Sequence, residues 1–270
     1  MVGKPAFWAL LVALVALAPA AGWAGSASTD LPVQIVHQSA IQVVQGGSAG
    51  FDGGCYSSIA ITFSPPLQAG DAVMGVLKTE DGFSCSNGGS PDTIMLGSQA
   101  ATLLPRISPG DFGYDVCCPN DVPFILFNAT GGQTTLTVTN SGGGNFDGIG
   151  FAAVVRGFSG AASVDKTTGN YQNPAPGTGS DVITSTTITP SQAGDFLYGF
   201  EFPTYADLTG MSPGTGWTQG PNDLNVGPGT KHPALDEYIA NYNSTAPIAA
   251  TFGTTNASGE WPPGIIAIKP

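Results

Sequence analysis

Hydrophobic and polar residues alternate along much of this chain with a period of two, the spacing of a strand that buries one face. Ile59, Ile61 and Phe63 fall on one side, with Ala60, Thr62 and Ser64 on the other. Leu136 and Val138 alternate with Thr135, Thr137 and Thr139, and Ile248, Ala250 and Phe252 alternate with Ala249 and Thr251. A second kind of segment is apolar at successive positions, as in residues 124–127, 151–155, 197–200 and 265–268. Such runs suit strands covered on both faces. Between the strands lie turn-forming clusters, at 64–66, 87–89, 141–144, 174–177 and 228–229. Beyond residue 24 no segment keeps a helical period, and 39 Gly and 22 Pro would interrupt long helices. The pattern predicts an all-β fold, a single antiparallel β-sandwich, jelly-roll-like, assembled from about a dozen short strands.

The strands recur in two sets. Gln-Ala-Gly-Asp occurs at 68–71 and again at 192–195, each time after a Thr/Ile-rich strand and before an apolar strand with a glycine four places past the aspartate, Gly75 and Gly199. Each set closes with a Thr-containing strand, a polar loop and an apolar strand; residues 150–154 align with 264–268 at an offset of 114. Two pseudo-repeated halves are expected, about 58–157 and 182–270, within one sandwich domain at 58–270 to whose two sheets both halves contribute. Residues 25–57 form an N-terminal strand and lead-in.

Residues 1–24 have the form of a secretory signal peptide: Lys4, an apolar run from Ala6 to Ala18, Pro19, then small residues before cleavage after Ala24 or Ala27. The expected location is secreted, periplasmic or extracellular, with no membrane association after cleavage. Loss of this leader removes Lys4 and no acid, leaving six basic against 19 acidic side chains. That balance, without a Lys/Arg cluster, argues against nucleic acid and anionic lipid as partners. The cysteines, Cys55, Cys85, Cys117 and Cys118, are even in number. In an exported chain this favours disulfides over metal, with Cys55 and Cys85 each reaching one of the adjacent pair.

Candidate chemistry is sparse. One Gly-x-Ser-x-Gly occurs at 46–50, but a turn follows it where a nucleophile elbow needs a helix. His232, with Asp223 or Asp236 in range, lies in a Gly/Pro-rich loop that suits a solvated histidine. Glu201 and Glu237 sit on expected strands and are the carboxylates a glycosidase would use. Asn145 and Asp147, and Asn222 and Asp223, lie in oxygen-rich loops that suit calcium; no other cofactor is expected. Tyr205 and Trp217, with Tyr171 and Trp261, fall in or beside loops where rings could stack on sugars.

The order of motifs resembles a module of exported bacterial proteins. They are Gly70-Asp71, Thr137-Val-Thr139, the segment 154–160 ending in Ser-Gly, Gly194-Asp195, Gly216-Trp217, Glu237-Tyr238, Ala250-Thr-Phe252 and the closing Ile268-Lys-Pro270. The resemblance spans about 58–270 and implies a β-sandwich, sometimes found beside adhesive or carbohydrate-binding modules. It supplies no catalytic residues, and the four-cysteine segment departs from its pattern. The leading expectation is a secreted, non-catalytic protein for binding or surface interaction, with a glycan or cell-surface component as partner. Tyr205, Trp217, His232, Glu201 and Glu237 are its candidate binding residues. A carbohydrate-active enzyme using the strand carboxylates, and a structural module of an extracellular assembly, are the alternatives.

Overall fold

The computed structural model describes residues 40–56, 58–80, 93–107, 119–139, 146–172, 180–203, 210–223, 234–255 and 261–270. All lie within the compact unit Gln38–Pro270. Among the described residues there is no helix, and the strands form four antiparallel sheets.

The first half supplies β1 (Gln42–Tyr56), β2 (Ser58–Thr62), β3 (Ala72–Glu80), β4 (Thr93–Leu96), β5 (Gln99–Ala100), β6 (Thr102–Leu103), β7 (Pro119–Leu126), β8 (Thr135–Thr139) and β9 (Phe146–Arg156). They form two sheets, ordered β1-β9-β3-β7-β6 and β2-β8-β4-β5. The second half supplies β10 (Ser163–Gly169), β11 (Ser180–Thr184), β12 (Asp195–Glu201), β13 (Met211–Pro213), β14 (Thr218–Asp223), β15 (Leu235–Tyr242), β16 (Thr251–Thr255) and β17 (Gly264–Lys269). Its sheets run β10-β17-β12-β15-β14 and β11-β16-β13.

Strand for strand, the two orders match. β1, β2, β3, β4, β6, β7, β8 and β9 correspond in chain order to β10 through β17, and among the described strands β5 alone lacks a counterpart. A bulge repeats as well, between Val43 and Gln45 in β1 and between Val164 and Lys166 in β10. The expected N-terminal strand, β1, therefore takes part in the repeat. The jelly-roll order is present, but once in each half: every sheet draws its strands from one half alone, so the expected sharing of sheets between halves does not occur. The sequence alignment of the closing strands also slips by one residue. Gly75 pairs with Ala152, and its counterpart Gly199 pairs with Ile265, an offset of 113 rather than 114. A one-residue slip turns every side chain to the other face, and the corrected offset matches Arg156 with Lys269.

Three apolar layers hold the sheets together. In the central layer Met74, Val76, Ile125, Phe151 and Ala153 of the first half meet Phe196, Tyr198, Phe200, Ile266 and Ile268 of the second. The alternate residues of the same strands face outward. Val73, Leu77, Phe124 and Val154 pack on Ile61, Leu136 and Val138 of the β2 sheet, and Leu197, Ile265 and Ala267 pack on Ile183 and Phe252 of the β11 sheet. Strands apolar at successive positions thus form the two inner sheets, and strands with strict alternation form the outer ones. Each fully buried Phe, Ile or Leu contributes about 1.5–3 kcal/mol, so the central layer is the principal bond between the halves.

The repeated turn and glycine have local reasons. Gly70 and Gly194 adopt φ of 88° and 96°, a region disfavoured for side chains with a Cβ. At Gly75 a Cβ would run into the Phe151 carbonyl, and at Gly199 it would lie 2.8 Å from the Ala250 Cβ. The turn aspartate Asp71 accepts the Gln68 N–H at 2.8 Å and a two-pronged ion pair from Arg156 at 2.8 and 2.9 Å. In the second half Lys269 instead meets Asp165 at 2.9 Å, and buried Asp195 lies beside that pair.

Candidate functional site

The two ends of the stack differ. At one end lie both Gln-Ala-Gly-Asp turns and the connections 127–134 and 157–162, closed by backbone hydrogen bonds. At the other end lie the strand termini Glu80, Pro119 and Asp147, which share one level of their sheet, and Glu201, Asp223 and Leu235, which share one level of theirs. The two levels coincide, because the Lys78 ammonium donates to the Phe202 carbonyl at 3.0 Å across the central layer. The described residues that flank 57, 81–92, 108–118, 140–145, 173–179, 204–209, 224–233 and 256–260 lie at this end.

Cys85, Cys117, Cys118, Tyr205, His232 and Asn145 lie outside the described residues, as do the side chains of Cys55, Asp147 and Asp223. The backbones of Cys55 and Asp147 are register partners. Among the described residues no group of three or more His, Cys, Asp or Glu is placed to hold a metal. Asn222 is committed elsewhere: its N–H and its amide donate to Asp236 at 2.9 and 2.8 Å. Trp217 is half-buried against the outer core of the second half, and Trp261 is wholly inside that core. Trp261 also bridges to Gln172 through a pair of backbone hydrogen bonds.

Both candidate glutamates are fully buried. Their counterparts explain how they came to lie inside. The match of Gly75 with Gly199 sets Glu201 at the position of core Leu77, and the strand register sets Glu237 at that of core Phe124. The near contacts agree, since a Cβ on Gly75 would meet the Phe124 ring and one on Gly199 the Glu237 stem. Glu237 reaches under the β11 sheet and accepts the N–H groups of Gly214 at 2.8 Å and Thr251 at 3.0 Å. Burial pushes its carboxyl up to about 8, against the pull of those two donors. Burial also raises Glu201 well above the usual carboxylate range; the charge of Asp121 adds to this, and that of Lys78 opposes it.

A second polar pair faces the central layer. Tyr198 donates its hydroxyl to Asp236 at 3.0 Å. Burial raises both groups, while the bonds from Asn222 and Tyr198 pull Asp236 back down.

Sequence reasoning passed over Lys78 and Asp121. They are register partners on β3 and β7, 1% and 0% exposed. The Lys78 ammonium also lies 5.2 Å from the centre of the Phe202 ring. One signal could have found this group: at the offset of the repeated turn, Leu77-Lys78 aligns with Glu201-Phe202, so charge and hydrophobe exchange places between halves.

Glu201 and Glu237 lie on neighbouring strands, but the charges that act on Glu201 are those of Asp121 and Lys78, and the one that acts on Glu237 is that of Asp236. Their burial, and the capture of Glu237 by backbone donors, is an arrangement that keeps carboxyls neutral and ties sheets together. Comparison with protein-family models, with curated proteins and with solved structures finds no match for this chain.

Proposed function

We propose that this is a secreted, non-catalytic binding protein whose ligand surface is the end of the stack from which the long connections depart. The observation that carries this reading is the placing of the longest connections: residues 104–118, 81–92 and 224–234 all leave the same end. Rigid sandwiches that bind through their loops are built this way. The signal-like leader, the acidic composition and the resemblance to exported modules favour a glycan or cell-surface component as partner. A panel of glycans and divalent cations, screened by thermal shift on the mature protein, tests the reading. A ligand that raises the melting temperature without being cleaved supports it, and a flat response across the panel counts against it.

Two buried carboxyls on neighbouring strands, Glu201 and Glu237, both raised by burial, favour one alternative, a carbohydrate-active enzyme. Glycan hydrolysis lost in the Glu201→Gln, Glu237→Gln double variant would support that alternative, and full activity in the variant would remove it.

A further inference from the structure

We propose that Lys78 and Asp121 are joined by an intramolecular amide bond between Lys78 Nζ and Asp121 Cγ, formed with the help of Glu201 and locking β3 to β7 at the ligand-binding end. The two residues are direct cross-strand partners, and their side chains are buried. Lys78 lies on the face of β3 that carries Met74 and Val76, and Asp121 on the face of β7 that carries Ile125. Both therefore point into the central apolar layer. Glu201, equally buried, directly precedes Phe202, whose carbonyl accepts from the Lys78 ammonium at 3.0 Å, and the charges of Asp121 and Lys78 act on it.

An ammonium and two carboxyls enclosed by Phe151, Phe202 and their neighbours are costly to keep charged, because desolvation can exceed the Coulombic gain. Condensation removes the Lys78 and Asp121 charges together. Burial and the charge of Asp121 favour the acid form of Glu201, which can pass protons between the partners. A proton moves from the Lys78 ammonium to the Asp121 carboxylate, leaving a neutral amine and a neutral acid. The amine lone pair attacks Asp121 Cγ while Glu201 gives its proton to the carbonyl oxygen and takes one from the nitrogen. The tetrahedral centre then collapses, the C–N bond stays and one Asp121 oxygen leaves as water. Glu201 ends as it began, no oxidant is consumed, and charge is conserved.

Holding amine and acid in register replaces a bimolecular encounter, an advantage worth effective molarities of about 10⁵–10⁸ M. The amide nitrogen retains one hydrogen, which can still donate to the Phe202 carbonyl that Lys78 meets at 3.0 Å.

The test is the denatured mass of the mature protein after reduction and alkylation of its cysteines, compared with Asp121→Ala and Glu201→Ala variants. After correction for the substitution, the wild type is expected to be lighter than either variant by one water, about 18 Da. Trypsin cuts after Arg106, between the two residues. The peptides bearing Lys78 and Asp121 should therefore remain joined in one branched fragment, uncut at Lys78. A wild-type protein at its full unmodified mass, or a branch mapped to Glu201 instead of Asp121, overturns the proposal. Loss of water persisting in Glu201→Ala overturns the role given to Glu201.

Discussion

Replacing Glu237 by Gln should change the pH dependence of stability, not merely its size. Glu237 is buried at the place where the first half carries Phe124, and its carboxyl is pushed from 4.5 to about 8. The folded state therefore holds a proton that the unfolded chain releases. A carboxyl raised in this way contributes stability that is complete below the unfolded value and lost as pH rises through the folded value. At about 1.4 kcal/mol per unit, the loss between those limits is on the order of 5 kcal/mol. Glutamine cannot titrate, so it removes this slope. It also presents only one acceptor oxygen to the two N–H groups of Gly214 and Thr251, which costs about 1–3 kcal/mol at every pH. Urea denaturation of both proteins at several points between about pH 5 and pH 8 checks the sum. The wild type should be the more stable at the acid end, and the difference should close and reverse toward the alkaline end. The difference cancels the other titrating groups. A constant offset across the range would show that Glu237 is ionised in the folded protein and refute the reasoning.

Arg156→Ala leaves the buried Asp71 carboxylate with the Gln68 N–H but without its ion pair; because the arginine is partly exposed, a loss of about 1–2 kcal/mol is expected by denaturation. Trp261→Ala, in the outer core of the second half, should cost about 3–5 kcal/mol, and Trp217→Ala less; loss of glycan binding in Trp217→Ala at unchanged stability would instead assign that ring to a ligand. Gly75→Ala forces a methyl group against the Phe151 carbonyl and should lower the melting temperature sharply, whereas Gly160→Ala, with open space at its Cβ, should leave it nearly unchanged.

Much of the fold is legible in the chain because burial is written into strand patterns. Ile59-Ile61 and Leu136-Val138 alternate because one face of an outer sheet meets solvent, and residues 151–155 and 265–268 do not because inner sheets are covered twice. The number of layers is harder to read. An apolar strand requires cover on both faces, but its sequence does not say whether that cover comes from its own half or from the other. The paired turns marked the repeat correctly, yet a slip to an offset of 114 was invisible, because residues 151–155 and 265–268 are apolar on either face. The site was less legible still. Lys78 and Asp121 read as charges at strand ends, where solvent normally receives them; only the packing of β12 across β3 encloses them. Trp261 read as a loop residue because Pro262 and Pro263 follow it, while its pairing with Gln172 draws it into the core.

The proposed ligand surface is one end of this stacked pair of jelly rolls and not the other. Hydrogen exchange of the mature protein, with and without a glycan that raises its melting temperature, tests that claim most directly. The account predicts new protection at the strand ends near Glu80, Asp121, Glu201 and Leu235, with no cleaved product in the same sample. Protection confined to the Gln-Ala-Gly-Asp turns at the opposite end would contradict it.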